Sequence, residues 1–311
     1  MKKEGQTFSL LPLLSAFVFC IILALSETLV PESEKNGGMT PWRAERDVLP
    51  GRNVSESFLP RAAEQKTENV LPEVYVRNDT GSGIDKDEIL GRNVRVKKTP
   101  SGVSVIVVHT HGTEAYTQDG GYTYTESDLF RTTDAEKNVV RVGEELCREL
   151  ESRGIKTAHY TDYCDYPNYA GAYDRSFDLI EKALSEHPEA TVIIDLHRDA
   201  IQSADGSYYR PQALIEGEVS AQVELVCGTD GGGLSHPYWR DNLSFQLYLQ
   251  QRIESMYPGL MRPLNLRNAR FNQHFSRGSM LVEMGTCGNT LSEALAAARF
   301  FARALAMVLS E

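Results

Sequence analysis

An alternation beginning at residue 100 limits the fold of this chain more than any other feature. Short apolar runs rich in β-branched residues are separated by longer segments whose apolar positions recur at helical spacing. VSVIVV (103–108) and TVIIDLH (191–197) are continuous and β-branched, the composition of strands covered on both faces. IKTAHY (155–160) and SMLVEMG (279–285) read as further strands. Between them, residues 132–154 set Val139, Val142, Gly143, Leu146, Cys147 and Leu150 on one helical face and stop at Gly154. Residues 169–188 set Tyr173, Phe177, Ile180 and Leu184 on one stripe, and residues 241–259 and 290–311 supply two more helices. Thr290 and Glu293 have the spacing of a capping box. QALIEG (212–217) and AQVELVCGT (221–229) predict a hairpin at the sheet edge. Strands alternating with helices predict an α/β three-layer sandwich, a mostly parallel sheet flanked by helices, over residues 100–311. That length is short for an eight-fold barrel.

The rest of the chain has a different character. Lys2 and Lys3 precede an apolar run from Phe8 to Leu25, about the minimum that spans a bilayer as a helix, and they would hold that end in the cytoplasm. Residues 1–30 are therefore expected to be a single-pass membrane anchor, with a cleavable signal peptide, cut near Ala24-Leu25-Ser26, as the rival. Either way the remainder is exported. Residues 31–99, rich in Glu, Lys, Arg, Asn, Gly and Pro with no sustained period, read as an extracytoplasmic stalk, in which LPEVYV and RNVRVKK are candidates for short edge strands. The net charge of -11 and the lack of a long basic run exclude a nucleic-acid surface. Cys147, Cys164, Cys227 and Cys287 are widely spaced without a CxxC pair, which favours free buried thiols over a disulfide framework.

Active sites of open α/β sheets sit beyond the carboxyl ends of the strands. Three predicted strands end in chemically capable residues: His109-Thr110-His111, His197-Arg198-Asp199 and Glu283. If strand geometry persists, His109 and His111 point to one side and present two imidazoles to one ion. With His197 they suit Zn²⁺, and the third protein ligand is Glu136 or, in its place, Glu114. Glu136 also occupies the fourth position of Thr133-Asp134-Ala135-Glu136, a capping-box spacing that competes for the same carboxylate. Glu283 follows three apolar residues, so its carboxylate needs a partner: a metal-bound water, or an arginine such as Arg270 or Arg277. Arg198 and Arg270, with Asp199 and Asn272, are candidates for contacts to substrate. Tyr166, Tyr169, Tyr173 and Trp239 line a groove or fill the core.

The runs VVHTHGTEAY, EKNVVRVGEELCRELESRGI, DYPNYAGAYDRS, VIIDLHRDA, YPGLMRPLNLR and FNQHFSRGSMLVEMGTCGNTLSEA, in that order, resemble the stage II sporulation protein P family. More distantly the chain is similar to zinc-dependent N-acetylmuramoyl-L-alanine amidases. The resemblance implies His111 (or His109), Glu136 and His197 as zinc ligands and Glu283 as the catalytic acid. The amidases carry Gly-His-Gly-Gly where this chain has His-Thr-His-Gly. The resemblance also implies hydrolysis of peptidoglycan at the muramoyl-alanine amide, with endopeptidase activity on stem-peptide cross-links. Its setting would be engulfment in endospore formation, in the space between mother cell and forespore membranes, beside stage II sporulation proteins D and M. The alternatives are another metal-dependent amidohydrolase and a non-catalytic wall-binding scaffold at the septum.

Overall fold

In the computed structural model, residues 71–311 other than Asp205 are described. The expected anchor and most of the expected stalk lie outside them. Among the described residues no helix is long and apolar enough to cross a membrane.

Among the described residues nine strands and five α-helices follow one another in the order β1 (Val76–Asn78), α1 (Lys86–Gly91), β2 (Val105–Val108), α2 (Val139–Glu151), β3 (Thr157–His159), α3 (Ala172–Glu186), β4 (Val192–Asp199), β5 (Gln212–Ile215), β6 (Glu218–Ala221), β7 (Val223–Gly228), α4 (Trp239–Met256), β8 (Leu264–Arg267), β9 (Gly278–Thr286) and α5 (Leu291–Ser310). Seven strands form one sheet in the order β1-β8-β7-β9-β4-β2-β3, and β5 pairs only with β6. Every ladder of the large sheet is parallel except β7 against β9. The expected α/β sandwich with a mostly parallel sheet is therefore the observed fold.

The two faces explain why β2 and β4 lack polar alternation. Val105, Val107, Val192, Ile194 and Leu196 join a core shared with α2, α4 and α5. Ile106, Val108 and Ile193 face the other way, toward Leu179, Ile180 and Ala183 of α3. Such strands have no solvated side, so a continuous apolar run is the pattern they require. The apolar stripe of α2 is buried as its spacing predicts. On its polar flank, Glu145 and Glu149 are held by Arg299 and Arg303 of α5, which locks the two helices together. α5 begins with the predicted capping box of Thr290 and Glu293.

Three elements differ from the sequence expectation. The folded unit starts well before residue 100: β1 pairs with β8, Val74 and Ile89 are buried in the core, and the Lys98 amide donates to the Leu309 carbonyl. LPEVYV thus runs into an edge strand as anticipated, while RNVRVKK packs Val96 without forming one. The hairpin is β5–β6, formed by QALI and EVSA, and it stands apart from the large sheet. The segment expected to be its second strand, β7, lies inside the large sheet instead, where its six residues are all buried. On α3 the buried stripe is Ala172, Ser176, Leu179, Ile180 and Ala183, rotated from the one predicted, because Ser176 faces a polar contact rather than the core. Cys147, Cys164, Cys227 and Cys287 are buried free thiols.

Candidate functional site

β4 and β9 lie side by side with His197 opposite Glu283, and the same row continues to Glu224 of β7. Cross-strand register therefore brings His197 and Glu283, far apart in sequence, onto one face of the sheet at its carboxyl end. The chain after β2 completes the group. β2 ends at Val108, and residues 110–113 form a turn, so strand geometry does not persist as far as His111. The two histidines of HTH part company there. His109 Nδ1 lies 3.0 Å from the Leu196 carbonyl, and its Nε2 lies 2.8 Å from Nε2 of His159. Nδ1 must donate to the carbonyl, so the proton between the two rings belongs to His159. Gly143 of α2 makes room for the pair: a Cβ there would sit 2.7 Å from His159 Nε2 and 2.8 Å from His109. With both nitrogens used inside the core, His109 is a structural residue, and the expectation that it faces an ion beside His111 is corrected. Burial, with His159 nearby, lowers the His109 pKa to about 3.

His111 turns the other way. Its ring meets His197 edge to face, centroids 5.3 Å apart, and stacks on Tyr169 at 4.6 Å. The Tyr169 hydroxyl is 3.2 Å from Nε2, whereas Nδ1 is buried without a hydrogen-bond partner among the described residues. Burial lowers the His111 pKa to about 4, although Glu114 opposes that shift. His197 is flanked by two carboxylates: Nδ1 is 3.4 Å from Glu114 Oε2, and Nε2 is 2.9 Å from Asp195 Oδ1 but lacks hydrogen-bond alignment. Burial alone would strip its proton, but Asp195 and Glu114 outweigh burial and raise its pKa well above the ordinary value. Asp195 is fixed by Thr110, whose amide (2.8 Å) and hydroxyl (2.7 Å) both donate to it.

Glu114 is the carboxylate that joins the histidines. Its burial favours the neutral form, yet Arg198 and His197 hold its pKa well below the usual carboxylate range. Glu136 stays outside this group. The first turn of α2 is capped by Asn138, not by Thr133, so residues 133–137 remain a surface turn. The Glu136 side chain there is 74% exposed and reaches only Arg141, at 3.9 Å.

Glu283 lacks the arginine partner considered for it. Arg277 pairs with Asp241, and the Glu283 Oε2 is buried with no hydrogen-bond partner among the described residues. Burial first, then the charge of Asp199, push its pKa well above the carboxylate norm, with His197 pulling the other way. A group so placed holds a proton near neutrality and can exchange it with a reacting atom.

Among the candidate substrate contacts, three have structural duties. Arg198 is 6% exposed; Nε donates to the Ala115 carbonyl (2.9 Å) and Nη2 to the Phe130 carbonyl (2.9 Å), beneath the site. Asp199 holds Arg262 at 2.7 Å, and Arg262 also pairs with Glu224. The Asn272 amide donates to the Tyr173 carbonyl and Ser176 hydroxyl of α3. Arg270 is the one charged candidate that makes no ion pair among the described residues; its guanidinium lies 5.9 Å from the Phe177 ring centroid. Of the aromatics, Trp239 packs against the core and Tyr173 is partly buried beside His111, while Tyr166 and Tyr169 stand exposed.

The sequence pattern did not single out Asp195, Arg131, Asp165 or His159. Asp195 carried a signal, since a carboxylate inside TVIID must have a partner if the strand is buried. Arg131 sits in a loop with no period. Yet it donates to Asp165 at 2.6 Å and approaches Glu114 at 3.5 Å.

The site's donors are the types that bind zinc, and two of them, His111 Nδ1 and Glu283 Oε2, are buried and unpartnered among the described residues. Among those residues no three His, Cys, Asp or Glu side chains are already grouped to hold a metal ion. His197 would have to give up its proton to bind one.

The sequence profile of the Stage II sporulation protein P family matches residues 43–306, most of the chain, and the protein belongs to that family. Stage II sporulation protein P of Bacillus subtilis (strain 168) is 28% identical over 267 residues, which cover 79% of this chain and 61% of that protein. The chain thus spans about three fifths of that relative's length. Among solved structures, N-acetylmuramoyl-L-alanine amidase AmiC2 of Nostoc punctiforme is 14% identical, with 68% of this chain and 97% of that one covered and a TM-score of 0.36. The N-acetylmuramoyl-L-alanine amidase of Clostridium difficile 630 is also 14% identical, with 67% and 96% covered and a TM-score of 0.37.

Proposed function

We propose that this protein is a zinc-dependent peptidoglycan hydrolase that cleaves the amide between N-acetylmuramic acid and L-alanine during endospore engulfment, and that it also acts on stem-peptide cross-links. The observation that carries the reading is the convergence of His111, His197 and Glu283 at the carboxyl ends of neighbouring strands, in a chain of this family. His111, His197 and Glu114 would hold the zinc, which supplies Lewis-acid polarisation of the amide carbonyl and acidifies water. Glu283, ionised once a cation sits beside it, would take the proton of the attacking water and then deliver it to the leaving nitrogen, a role that its place opposite His197 supports. Asp195 keeps the His197 ring in place from behind, as partners of metal-binding histidines do. Arg270, half-buried and without an ion pair among the described residues, is the remaining candidate for a stem-peptide carboxylate. We place the protein on the cell membrane through residues 1–30, facing the space between mother cell and forespore, with stage II sporulation proteins D and M as partners.

The test is digestion of purified peptidoglycan by the full chain, with and without chelator, followed by mass spectrometry. The fragment 100–311 is unsuitable, because it lacks β1 and α1. Free stem peptides beginning with L-alanine, absent after chelation, restored by zinc and absent in Glu283→Gln, are expected. Intact stems on intact glycan would sink the proposal.

A further inference from the structure

The segment between β3 and α3 forms one wall of the site and projects two aromatic rings into solvent: Tyr166 is 52% and Tyr169 58% exposed. Scattered exposed tyrosines are ordinary. These two differ because the backbone beneath them is clamped from below. Asp165 accepts from Arg131 (2.6 Å), from the Thr113 hydroxyl (2.5 Å) and from the Thr113 amide (3.2 Å). Arg175 donates to the Cys164 carbonyl (2.6 Å), the Ala170 carbonyl (3.0 Å) and the Asn168 carbonyl. Charged donors on backbone carbonyls hold a loop more firmly than neutral ones. The Arg131 guanidinium also lies 4.9 Å from the Tyr169 centroid.

The chemistry of the rim selects its occupant. Between residues 160 and 171 the only large exposed apolar side chains are the two tyrosines; the exposed Leu129 belongs to the neighbouring loop that carries Arg131. A lipid or protein surface would be met by aliphatic side chains as well. Flat rings with hydroxyl groups on a polar loop suit the C–H face of a sugar ring, which is apolar in the middle and hydroxylated at its edge. Position agrees with chemistry. Tyr169 stacks on His111, and in a muramoyl-peptide the sugar ring is joined to the scissile amide by a few covalent bonds. With the amide at His111 and Glu283, that ring lies within reach of the neighbouring wall.

We infer that Tyr166 and Tyr169 form a carbohydrate-stacking platform that receives pyranose rings of the glycan strand and sets which amide enters the site. The platform rests on the function proposed above, and its test separates the two. The probe is glycan strands already stripped of stem peptides, titrated calorimetrically into the full chain without hydrolysis. The platform predicts measurable binding, weakened roughly tenfold in the Tyr166→Ala, Tyr169→Ala double variant, because two stacking contacts together amount to that factor. Tyr169→Phe keeps the ring and should bind within about twofold of the parent. Unfolding midpoints of all variants are recorded, so that loss of fold is seen as such. Equal binding by the parent and a folded double variant overturns the platform, as does a parent that digests whole peptidoglycan yet ignores stripped strands. Tyrosine-dependent binding without any hydrolysis would retain the platform and refute the hydrolase. If the double variant unfolds, Tyr166→Ala alone decides, since the Tyr166 ring stands in solvent and its removal leaves the packing around His111 intact; unchanged binding there overturns the two-ring platform.

Discussion

Arg198 separates two views of this site most cleanly. Its position after His197 makes it a natural hand for substrate, but its guanidinium is turned inward. It donates to the buried carbonyls of Ala115 and Phe130, and its Nη1 lies 3.8 Å from Glu114 Oε1. Replacing it by methionine keeps much of the volume, takes the side-chain donor from the Ala115 carbonyl and leaves the Phe130 carbonyl with the Ala115 amide alone. Glu114 keeps the backbone amide of residue 198 at 3.1 Å, but of charged partners it retains Arg131, at 3.5 Å, and His197. Removing one partner of a buried, hydrogen-bonded pair costs about 3–5 kcal/mol. In a domain of this size each kcal/mol moves the melting temperature by roughly 2–4 °C, so Arg198→Met should melt about 6–20 °C lower. Thermal unfolding followed by circular dichroism reads this directly, with KM and kcat measured well below the new midpoint. A variant that melts within about 2 °C of the parent while KM rises several-fold would show that Arg198 faces substrate after all, and that Glu114 keeps its charge without it.

Three further outcomes are expected. Gly143→Ala drives a methyl group into the His109–His159 pair and should cost about 1–3 kcal/mol in urea unfolding; a loss under about 0.5 kcal/mol would mean that the rings give way freely. His109 and His159, with pKa values lowered to about 3 and about 4, are neutral when folded and take up protons on unfolding. The stability they contribute is complete above the unfolded value of about 6.5 and is lost as pH falls toward 4 and below. Melting temperatures recorded across that window should fall with pH, less steeply in His159→Gln; an identical slope in the variant contradicts the assignment. Glu283→Gln removes a buried carboxylate that has an unpartnered oxygen, so hydrolysis should fall roughly 10²–10⁴-fold with no loss of melting temperature. A variant that keeps most of its activity would remove Glu283 from the chemistry.

Periodicity made the buried strands and long helices legible, because β2, β4 and α2 are each packed in a way that leaves one pattern available. The short pieces were harder to read. β8 is four residues long, and β1 only three, so neither offers enough positions to establish a period. β7 reads as half of a hairpin because it follows QALIEG closely, and only the sheet order shows it between β8 and β9. At the site, His197 and Glu283 were readable as polar ends of apolar runs. The choice between His109 and His111 was not, since it depends on where β2 stops hydrogen bonding, one residue before the motif. Glu136 and Glu114 likewise differ by how the loop after β2 folds, and local spacing favoured the wrong one of the two for contact with His197.

The strand order carries a consequence for how the protein comes into being. β9 is the latest strand in the chain, yet it lies at the centre of the sheet, between β7 and β4. During synthesis the two halves, β1-β8-β7 and β4-β2-β3, have no common edge until residues 278–286 emerge. Pairings this distant in sequence are slow to form and come late. Glu283 travels on the strand that joins them, so until β9 is in place the chain has neither a continuous sheet nor Glu283 opposite His197. Under the proposed function, the group that acts on the wall would be placed only when the sheet closes.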